Sequence, residues 1–454
     1  MITLLDHAII LTVDATRQIL LDGAIAFDDT GAIVALGTSD EVHRQVADAK
    51  VVDCRDRLIT PGYVDAHVHL GEHVAKGLVP DDAAPDEWLP DWLLPMYAAL
   101  EPDDERVAAE VAIAEMLLTG TTTFCEAGTL LEWRPVADAV VNSGIRGQLG
   151  RWTWDLPALP ARMAHPDTPS ALDSAAELVD GVAGLDHMRL SAAVIVLGLG
   201  TASDELLRGA KELAGDRNVP AAMMWASVAR EHGGSRVSAA HLEKLGWLDP
   251  DTKLTHAVYL EDDDEERLVA AGISIAHCPS AALRHVKGLP RHGRIPELLD
   301  AGVAVGLGGD SANGSNHVDM HKLMYLAATI FKDHRMDQTV MPPETALEMG
   351  TRHGAECLGM LDQIGSLEVG KRADLVVYDL AEPEWRPLLH PLQNLVLGAS
   401  DRSIAQVWVD GRKVVENGQV LTFDVGATLD EVDRRSADLL SRIGLSAPWA
   451  WPFR

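Results

Sequence analysis

The chain has 454 residues, and its 69 acidic residues against 38 lysines and arginines give a formal net charge of −31 at pH 7. This excess of negative charge, with no cluster of Lys and Arg, excludes a surface for the phosphates of DNA or RNA and disfavours an anionic membrane surface. A hydrophobic fraction of 47% supplies a packed core and excludes a disordered or collagen-like chain. We therefore expect a folded protein whose partner is a small molecule.

Cysteine usage and the first residues indicate the compartment. The four cysteines form no C-x-x-C pair, which is typical of a protein from a reducing cytoplasm. Residues 1–10 have no basic stretch and are interrupted by Asp6, so they predict a strand and not a signal peptide. The most apolar run, residues 192–200, is far shorter than the ~18 residues that span a bilayer. We expect a cytoplasmic protein.

The two ends of the chain share one sequence pattern, in which short apolar runs are separated by turn signals. In residues 1–58, turn signals such as Asp22-Gly23 divide these runs. The pattern returns in residues 363–425, where Asp410-Gly411 is a strong hairpin signal. We predict one composite β-sandwich domain built from both segments, followed by a helical tail at 426–454.

Between these segments, residues 59–362 alternate short buried runs with helical patterns, which is typical of βα units around a parallel sheet. The number of such units favours an α/β fold of the (β/α)8 TIM-barrel type, and a doubly wound sheet, which is normally shorter, is the alternative. The predicted barrel strands are 62–70, 121–125, 146–152, 190–197, 221–226, 253–257, 274–278 and 303–308.

Barrel active sites lie at the C-terminal ends of the strands, so the residues there are the candidates for chemistry. The first strand ends in a His-x-His pair, His67 and His69, whose side chains share one face of the strand and can converge on a metal ion. The sixth, seventh and eighth strands end in His256, His277 and Asp310. A carboxylate in the last position can ligate a metal or accept a proton from activated water.

Six segments carry a joint signature: 61–69 (PGYVDAHVH), 120–123 (GTTT), 255–257 (THA), 277–280 (HCPS), 308–310 (GGD) and 365–376 (GSLEVGKRADLV). Together they resemble the amidohydrolase superfamily, and most closely the branch of guanine, adenosylhomocysteine and triazine deaminases and chlorohydrolases. The resemblance implies a metal-bearing barrel with a composite β-sandwich, and a hydrolase of carbon–nitrogen bonds other than peptide bonds. It also implies that Asp310 activates the hydrolytic water. Homo-oligomers are common in this group, which implies one here.

The fifth strand departs from this pattern. In the branch it normally ends in His-x-x-Glu, where the His binds metal and the Glu carries protons to the substrate. Met224 and Ser227 hold those positions here. A thioether is a poor ligand for a hard or borderline divalent ion, and a serine hydroxyl is no general acid near neutral pH. The fourth strand offers no lysine for a bridging carbamate, so the resemblance predicts an incomplete ligand set.

Three interpretations of the site remain open. In the one we favour, the His pair of the first strand and Asp310 hold one divalent ion (Zn, Fe, Co or Mn), with His256 as the fourth ligand or as a carbonyl polariser. Three or four nitrogen and oxygen ligands plus water complete a working site. In the second, the protein is a catalytically silent relative. In the third, Glu231 or His232 loops back to replace the missing pair.

The missing Glu also bears on the reaction. Ring deamination needs a protonated ring nitrogen, whereas an acyclic amide, urea or carbamate needs a polarised carbonyl and a protonated leaving amine. We therefore predict a metal-dependent hydrolase of the acyclic class, resembling the atypical phenylurea and molinate hydrolases. Asp310 would be the general base and His277 the donor to the leaving group. The alternative is a purine, pyrimidine or triazine ring deaminase or dechlorinase, with Glu231 as proton carrier.

Tryptophan is over-used relative to the other aromatic residues, with 11 Trp against 5 Phe and 5 Tyr. A pocket lined by indoles suits an aromatic or bulky apolar substrate, including a xenobiotic, although ordinary packing is the alternative. Arg284 and Lys287 flank His285 after the seventh strand and can contact polar groups of a substrate, although such loop charges are more often solvated. The predicted substrate-binding residues are Trp88, Trp92, Trp154, Met224, Ser227 and His285.

Overall fold

The computed structural model describes residues 1–83, 87–128, 132–156, 165–228, 237–261, 263–446 and 451. The strands are β1 (Ile2–Leu11), β2 (Ile19–Asp28), β3 (Ile33–Thr38), β4 (Ala49–Asp53), β5 (Arg57–Pro61), β6 (Tyr63–His69), β7 (Thr121–Glu126), β8 (Arg146–Leu149), β9 (Trp152–Thr153), β10 (Leu190–Ala192), β11 (Val194–Gly198), β12 (Ala221–Trp225), β13 (Thr252–His256), β14 (Ser274–His277), β15 (Ala304–Leu307), β16 (Asp310–Ser311), β17 (Leu375–Asp379), β18 (Ile404–Val409), β19 (Arg412–Glu416) and β20 (Gln419–Val420).

The helices connect these strands and cover the sheets. The α-helices are α1 (Ser39–Gln45), α2 (Leu94–Ala99), α3 (Pro102–Leu118), α4 (Trp133–Ser143), α5 (Thr168–Ala183), α6 (Asp204–Arg217), α7 (Ala239–Lys244), α8 (Asp264–Ala271), α9 (Pro279–Arg284), α10 (Leu289–His292), α11 (Ile295–Asp300), α12 (Met320–Arg335), α13 (Pro343–Met349), α14 (Arg352–Cys357), α15 (Pro391–Leu397) and α16 (Val425–Ile443). Short 3-10 or π turns lie at Leu70–Ala75, Trp88–Leu93, Pro383–Trp385 and Asp401–Ser403.

Two parallel sheets close the barrel. Their strand orders are β10-β8-β7-β6-β16 and β15-β14-β13-β12-β11-β9. The third, fourth and eighth barrel positions each consist of two consecutive short strands, one in each sheet, so the sheets join into a single ring of eight positions. Strands β6, β7, β12 and β13 are buried along their whole length, as expected for a parallel sheet under helices. The predicted (β/α)8 barrel is confirmed.

Strands from both ends of the chain build the remaining sheet. Its order is β20-β19-β18-β17-β5-β1-β2-β3, with β4 beside β1. The join lies at β5, which pairs antiparallel with β17 and parallel with β1. Leu5, Ile25, Ile59 and Val377 are at most 1% exposed and form part of one apolar cluster in this domain. The composite β domain predicted from the texture of the sequence is therefore part of the fold.

The last helix, α16, begins and ends with ordinary capping residues. The Asp424 side chain accepts a hydrogen bond from the Ala427 N–H, and Gly444 ends the helix at φ +67°. Its buried face, which includes Val432 and Leu439, packs near α3 and against the helical turns that follow β6. Among the described residues, no helix combines the length and apolar character needed to cross a bilayer.

Candidate metal centre and active site

The strand register brings the first and last barrel strands together at the site. Strand β16 pairs in parallel with β6, and this pairing sets Asp310 opposite Val68 and Ser311 opposite His69. Asp310 has φ +61° and His256 has φ +80°, both in the left-handed region that residues other than glycine rarely adopt. Such backbone conformations occur often at active sites, where the surrounding structure holds side chains in a required direction.

The imidazoles of three histidines surround the Asp310 carboxylate. The distances to its oxygens are 3.7 Å from His67 Nε2, 3.4 Å from His69 Nε2 and 3.9 Å from His256 Nδ1. His67, His256 and Asp310 each offer one ligand atom, and these three atoms all lie within 4.8 Å of one another. All four side chains are buried. The structure thus brings together the four residues that the sequence predicted as ligands. His67, His256 and Asp310 form the group whose ligand atoms are all mutually close, and His69 contacts that group through Asp310.

The donor set fits a single divalent metal ion. The buried Nε2 of His67 has no hydrogen-bond partner among the described residues, whereas its Nδ1 lies 3.2 Å from the Thr255 hydroxyl. A metal-binding imidazole typically uses one nitrogen for the ion and the other for such an orienting partner. Burial lowers the pKa of His67 to about 4, so the ring is neutral near pH 7 and its free nitrogen can act as a ligand. Two imidazoles and a carboxylate suit zinc and related ions.

The carboxylate at the centre stays ionised. Burial alone would raise the pKa of Asp310, but contacts with His67 and His69 hold that pKa well below the ordinary value of an aspartate. Burial also lowers the pKa of His256 well below that of a free histidine. The triad of His67, His256 and Asp310 therefore combines one anionic oxygen ligand with two neutral imidazoles, which is the protonation state that binds a divalent cation. His69 differs, because burial lowers its pKa but the contact with Asp310 and nearby carboxylates outweigh burial and raise that pKa above the ordinary value.

Strands three to five contribute an apolar wall and no ligand. Met224, at the position of the usual histidine, is 8% exposed and belongs to an apolar cluster with Trp152, Ile195 and Leu197. Ser227, at the position of the usual Glu, is buried just beyond β12. The proposed substitutes Glu231 and His232 lie outside the described residues. Near the triad, the described part of the fifth strand offers a thioether and a hydroxyl in place of an imidazole and a carboxylate.

The aromatic side chains near the site differ from the predicted set. Trp152 has its ring centre 5.3 Å from that of His69, closer to the ligands than the sequence indicated. Trp88 packs edge-on against His285, with ring centres 4.7 Å apart, and Trp154 packs against His165. Trp92 is half-buried in the same apolar cluster as Trp152 and Trp154. An indole does line the site, but Trp152 is the one that touches a ligand.

The structure does not bring His277 to the triad. Its ring packs against Phe331 of α12, with ring centres 6.4 Å apart, and burial is the sole cause that lowers its pKa to about 3. A histidine that touched the Asp310 carboxylate would also respond to that charge, as His67 does. The predicted role of His277 as proton donor to the leaving group therefore has no support in the geometry.

A buried carboxylate that the sequence analysis missed holds the loop after Asp310. Glu72 is 1% exposed, accepts hydrogen bonds from the Tyr97 and Ser311 hydroxyls, and accepts two more from the Asn313 backbone N–H and side-chain amide at 3.0 and 3.3 Å. Donors from two separate segments, α2 and the loop after Asp310, thus converge on it. Its position three residues after His69 was the sole signal in the sequence, and that spacing alone predicts no role.

Comparisons with known proteins agree with this geometry. A family model described as "Amidohydrolase family" matches residues 58–414. A 5-methylthioadenosine/S-adenosylhomocysteine deaminase of Nitratidesulfovibrio vulgaris is 30% identical over 97% of this chain and 98% of its own length. The deaminase of the same name from Haloarcula marismortui is 32% identical over 92% of this chain and 94% of its own length.

Solved structures give the same fold. An adenosine deaminase from Xanthomonas campestris with bound zinc has a TM-score of 0.88 at 26% identity, covering 97% of this chain and 98% of that protein. The atrazine chlorohydrolase from Arthrobacter aurescens, complexed with zinc, has a TM-score of 0.86 at 24% identity, covering 96% and 100% of the two chains. The second likeness concerns the fold alone.

Proposed function

The chain belongs to the amidohydrolase family and is a hydrolase of carbon–nitrogen bonds other than peptide bonds, and from that premise we propose that it removes an exocyclic amino group from a planar heteroaromatic ring of the adenine type. The observation that carries the proposal is similarity over almost the whole chain to deaminases of methylthioadenosine and adenosylhomocysteine. It favours the ring-deaminase alternative over the acyclic substrate that the sequence analysis preferred. One divalent ion, with zinc as the first choice, serves as cofactor.

The site has a polar half and an apolar half that suit such a ring. Strands one, six and eight supply the ligands, and strands three to five supply Trp152, Leu197 and Met224. A planar ring that packs against the apolar wall would present its edge to the ligands, because side chains of this kind exclude water and leave few orientations open. The predicted pocket residue Met224 then contacts the substrate instead of the metal.

The residues of the chain divide the reaction between them. The ion, when bound at His67, His69, His256 and Asp310, supplies Lewis acidity that makes water more acidic and polarises the bond under attack. Asp310 accepts the proton of the attacking water, since its carboxyl is ionised and buried beside the imidazoles. Thr255 orients the ring of His67. Glu72 holds the loop after Asp310.

Proton delivery to the ring nitrogen needs a donor other than Ser227. We assign it to Glu231, which follows the same strand in the sequence, as the deaminase alternative requires. The test is Glu231→Gln, which should reduce ammonia release by about 100-fold, the usual contribution of a general acid, while leaving bound metal unchanged. Unchanged turnover in Glu231→Gln would show that the proton comes from elsewhere.

A second candidate function rests on the fifth strand. Met224 and Ser227 remove the pair that ring deamination ordinarily uses, and hydrolysis of an acyclic amide, urea or carbamate does not require a protonated ring nitrogen. The aromatic wall around Trp152 accommodates a phenyl substituent as readily as a purine. Phenylurea-type substrates therefore belong in the same assay.

The experiment compares products from the zinc-loaded protein. Adenosine, 5-methylthioadenosine and S-adenosylhomocysteine should release ammonia, whereas N,N-dimethyl-N′-phenylurea and methyl N-phenylcarbamate, whose hydrolysis would give aniline but no ammonia, should give no aniline. Asp310→Asn should lower the rate by at least about 100-fold, and Asp180→Asn, which changes a surface ion pair with Arg217, should not. Aniline without ammonia would replace the proposal with the second candidate, and the absence of both products would indicate a silent relative.

A further inference from the structure

The turn that follows α9 is fixed tightly to the rim of the barrel. The Arg284 guanidinium donates hydrogen bonds to the carbonyl oxygens of Asn313 at 2.6 Å, Gly314 at 3.2 Å and Val79 at 3.3 Å. Asn313 and Gly314 belong to the loop just beyond Asp310. The Arg284 guanidinium thus holds two rim segments together. The position of the residues that follow Arg284 is fixed at that end.

The next residues turn sharply and point in opposite directions. Val286 has φ +51° and is 83% exposed, although a β-branched residue is a clear outlier in the left-handed region. Its neighbours His285 and Lys287 are both half-buried. The strained residue therefore faces solvent, while the two polar side chains on either side of it face the protein. Backbone strain of this kind costs free energy and often occurs at functional sites, where it holds side chains in a required direction.

Two close approaches place this turn beside the loops that follow His256 and Asp310. A Cβ at Gly288 would lie 3.2 Å from the hydroxyl of Tyr259, which follows His256 closely on the loop after β13. The Nε2 atom of His285 would lie 3.3 Å from a Cβ at Gly314, on the loop that follows Asp310. The turn thus bridges the ends of the sixth and eighth strands.

The charges around the turn leave one cation without a partner. In the part of the chain that the structure describes, the Lys287 ammonium has no hydrogen bond or ion pair, and the buried Nε2 of His285 has no hydrogen bond. Burial and the Lys287 charge lower the pKa of His285 to about 4, so this ring is neutral near pH 7. The field of Lys287 also reaches His256 and Asp310. One ammonium group that has no hydrogen-bonded or ion-paired partner among the described residues, and one neutral imidazole, therefore lie beside the site of a strongly acidic protein.

We propose that Lys287 and His285 form a recognition site for a carboxylate on an arm of the substrate, beyond the ring or amide that reacts at the metal. One lysine and a neutral imidazole match a monoanion, because phosphate carries more charge and its sites usually offer several cations or an arginine fork. A partly desolvated ammonium gains the most from a partner that arrives with the substrate, since its burial is then compensated. This inference rests on the proposed function for the identity of the ring only.

The test compares ligand pairs that differ in charge and share a shape. Adenosine 5′-carboxylate and its N-methylamide form the first pair, and 4-ureidobenzoate and 4-ureidobenzamide form the second. Binding to the zinc-loaded Glu231→Gln protein is measured by calorimetry at two salt concentrations, because this variant leaves the residues that would hold the metal unchanged and should turn over slowly. Both acids should bind more tightly than their neutral partners, and higher salt should reduce the difference.

Variants then assign the preference to one side chain. Lys287→Met should weaken the binding of the acid by about 10- to 100-fold and leave the amide within about twofold, since a hydrogen bond to a charged group has that effect. Lys287→Arg should retain most of the preference. Lys244→Met removes an exposed lysine on α7 and serves as the matched control, which should behave as the parent protein does.

The outcomes separate this inference from the proposed function. A Lys287-dependent preference in the ureido pair alone would uphold the carboxylate site and overturn the adenine-type ring. Acids that fail to bind more tightly than their neutral partners in both pairs would overturn the site. If Lys287→Met keeps the preference for the acid, the carboxylate binds the metal and the proposed site is wrong. The site is also wrong if Lys287→Met lowers the melting temperature and weakens both members of a pair alike, because Lys287 then pairs within the chain.

Discussion

At the residue scale, the arrangement of the site depends on partners that hold the ligands in direction. His67 is the clearest case, because one ring nitrogen is free and the other lies next to a single hydroxyl, that of Thr255. His67 and Thr255 are both nearly inaccessible to solvent, so bulk water cannot easily replace the lost hydrogen bond if the hydroxyl is removed. One side chain on β13 thus helps to orient a candidate ligand on β6.

Thr255→Val is predicted to weaken the binding of zinc by about tenfold, because the orienting partner of His67 is lost while the shape of the side chain is kept. The measurement is competition for zinc against a chromogenic chelator. Thr255→Ser should retain the affinity. Thr252→Val is the matched control, since Thr252 is equally buried on the same strand but contacts Lys211 and Asp249 instead of a ligand. Equal affinities for the valine variant and the parent would contradict the orienting role.

Sequence reasoning grouped side chains that do lie close together, because strand ends meet at one rim of a barrel. It could not decide which face of β14 lines the barrel, since both faces of a strand in a parallel sheet are buried. His277 was assigned to the site because it ends the seventh strand, whereas its ring lies against Phe331. Glu72 was missed because its role comes from hydrogen-bond donors far away in the sequence, which no local pattern records.

At the scale of elements, the predicted barrel strands coincide with observed strands to within a few residues. Continuous apolar runs made them visible, since strands buried on both faces contain few polar positions. The division of the third position into β8 and β9 was not predictable. The division lies at Gly150, where a Cβ would lie 2.2 Å from the Ile195 side chain of the adjacent strand, a tertiary contact that no local pattern records.

Charged contacts, in addition to an apolar face, attach the C-terminal helix to the barrel. Arg435 of α16 contacts Asp103 at 2.7 Å and Asp104 at 3.1 Å, both in the first turn of α3. Arg442 also pairs with Asp104, whose side chain is wholly buried. A buried carboxylate that loses one of two cations keeps its desolvation cost with less compensation, so this contact matters more than an exposed ion pair.

Arg435→Met is predicted to lower the free energy of unfolding by about 1–3 kcal/mol, because Asp104 keeps its burial with one cation fewer. The measurement is guanidinium unfolding followed by circular dichroism. Arg434→Met is the matched control on the same helix. Arg434 is 60% exposed and its pairs with Glu431 and Asp438 are 3.7 Å long, so the change should stay below about 1 kcal/mol. Equal effects of the two variants would show that α16 is held by its apolar face alone.

At the scale of the whole molecule, the barrel and the composite β domain meet through buried polar groups. Tyr63 of β6 and Tyr378 of β17 share a hydrogen bond of 2.5 Å between their hydroxyls, and His321 of α12 lies 2.9 Å from the Tyr378 oxygen. Polar groups in such a position fix the relative placement of two domains, because each group is left unpaired when the other moves. The first barrel strand, which carries the His pair, is thereby attached to the second domain.

A second joint is ionic and lies at the third barrel strand. The Arg146 guanidinium, 3% exposed, donates to both carboxylate oxygens of Asp374 at 3.3 Å and lies 3.8 Å from Asp410. Both acids belong to the β-domain end of the chain, and Asp374 also accepts a hydrogen bond from the Asp410 N–H at 2.7 Å. Removing the cation would leave the buried Asp374 carboxylate without its guanidinium partner at a domain boundary, whereas Asp410 would keep its contacts with Arg189 and Arg372.

Arg146→Met is therefore predicted to lower the free energy of unfolding by about 3–5 kcal/mol, the usual result of removing one partner of a buried pair. Because the lost contact joins two domains, calorimetry should also show a broader or divided transition, as expected when cooperativity between domains falls. Arg55→Met removes a surface pair with Asp53, both side chains being more than half exposed, and should change stability by less than about 1 kcal/mol. A single sharp transition at the parent temperature in Arg146→Met would show that the apolar contacts between the domains suffice, and that the ionic joint adds specificity of placement without adding stability.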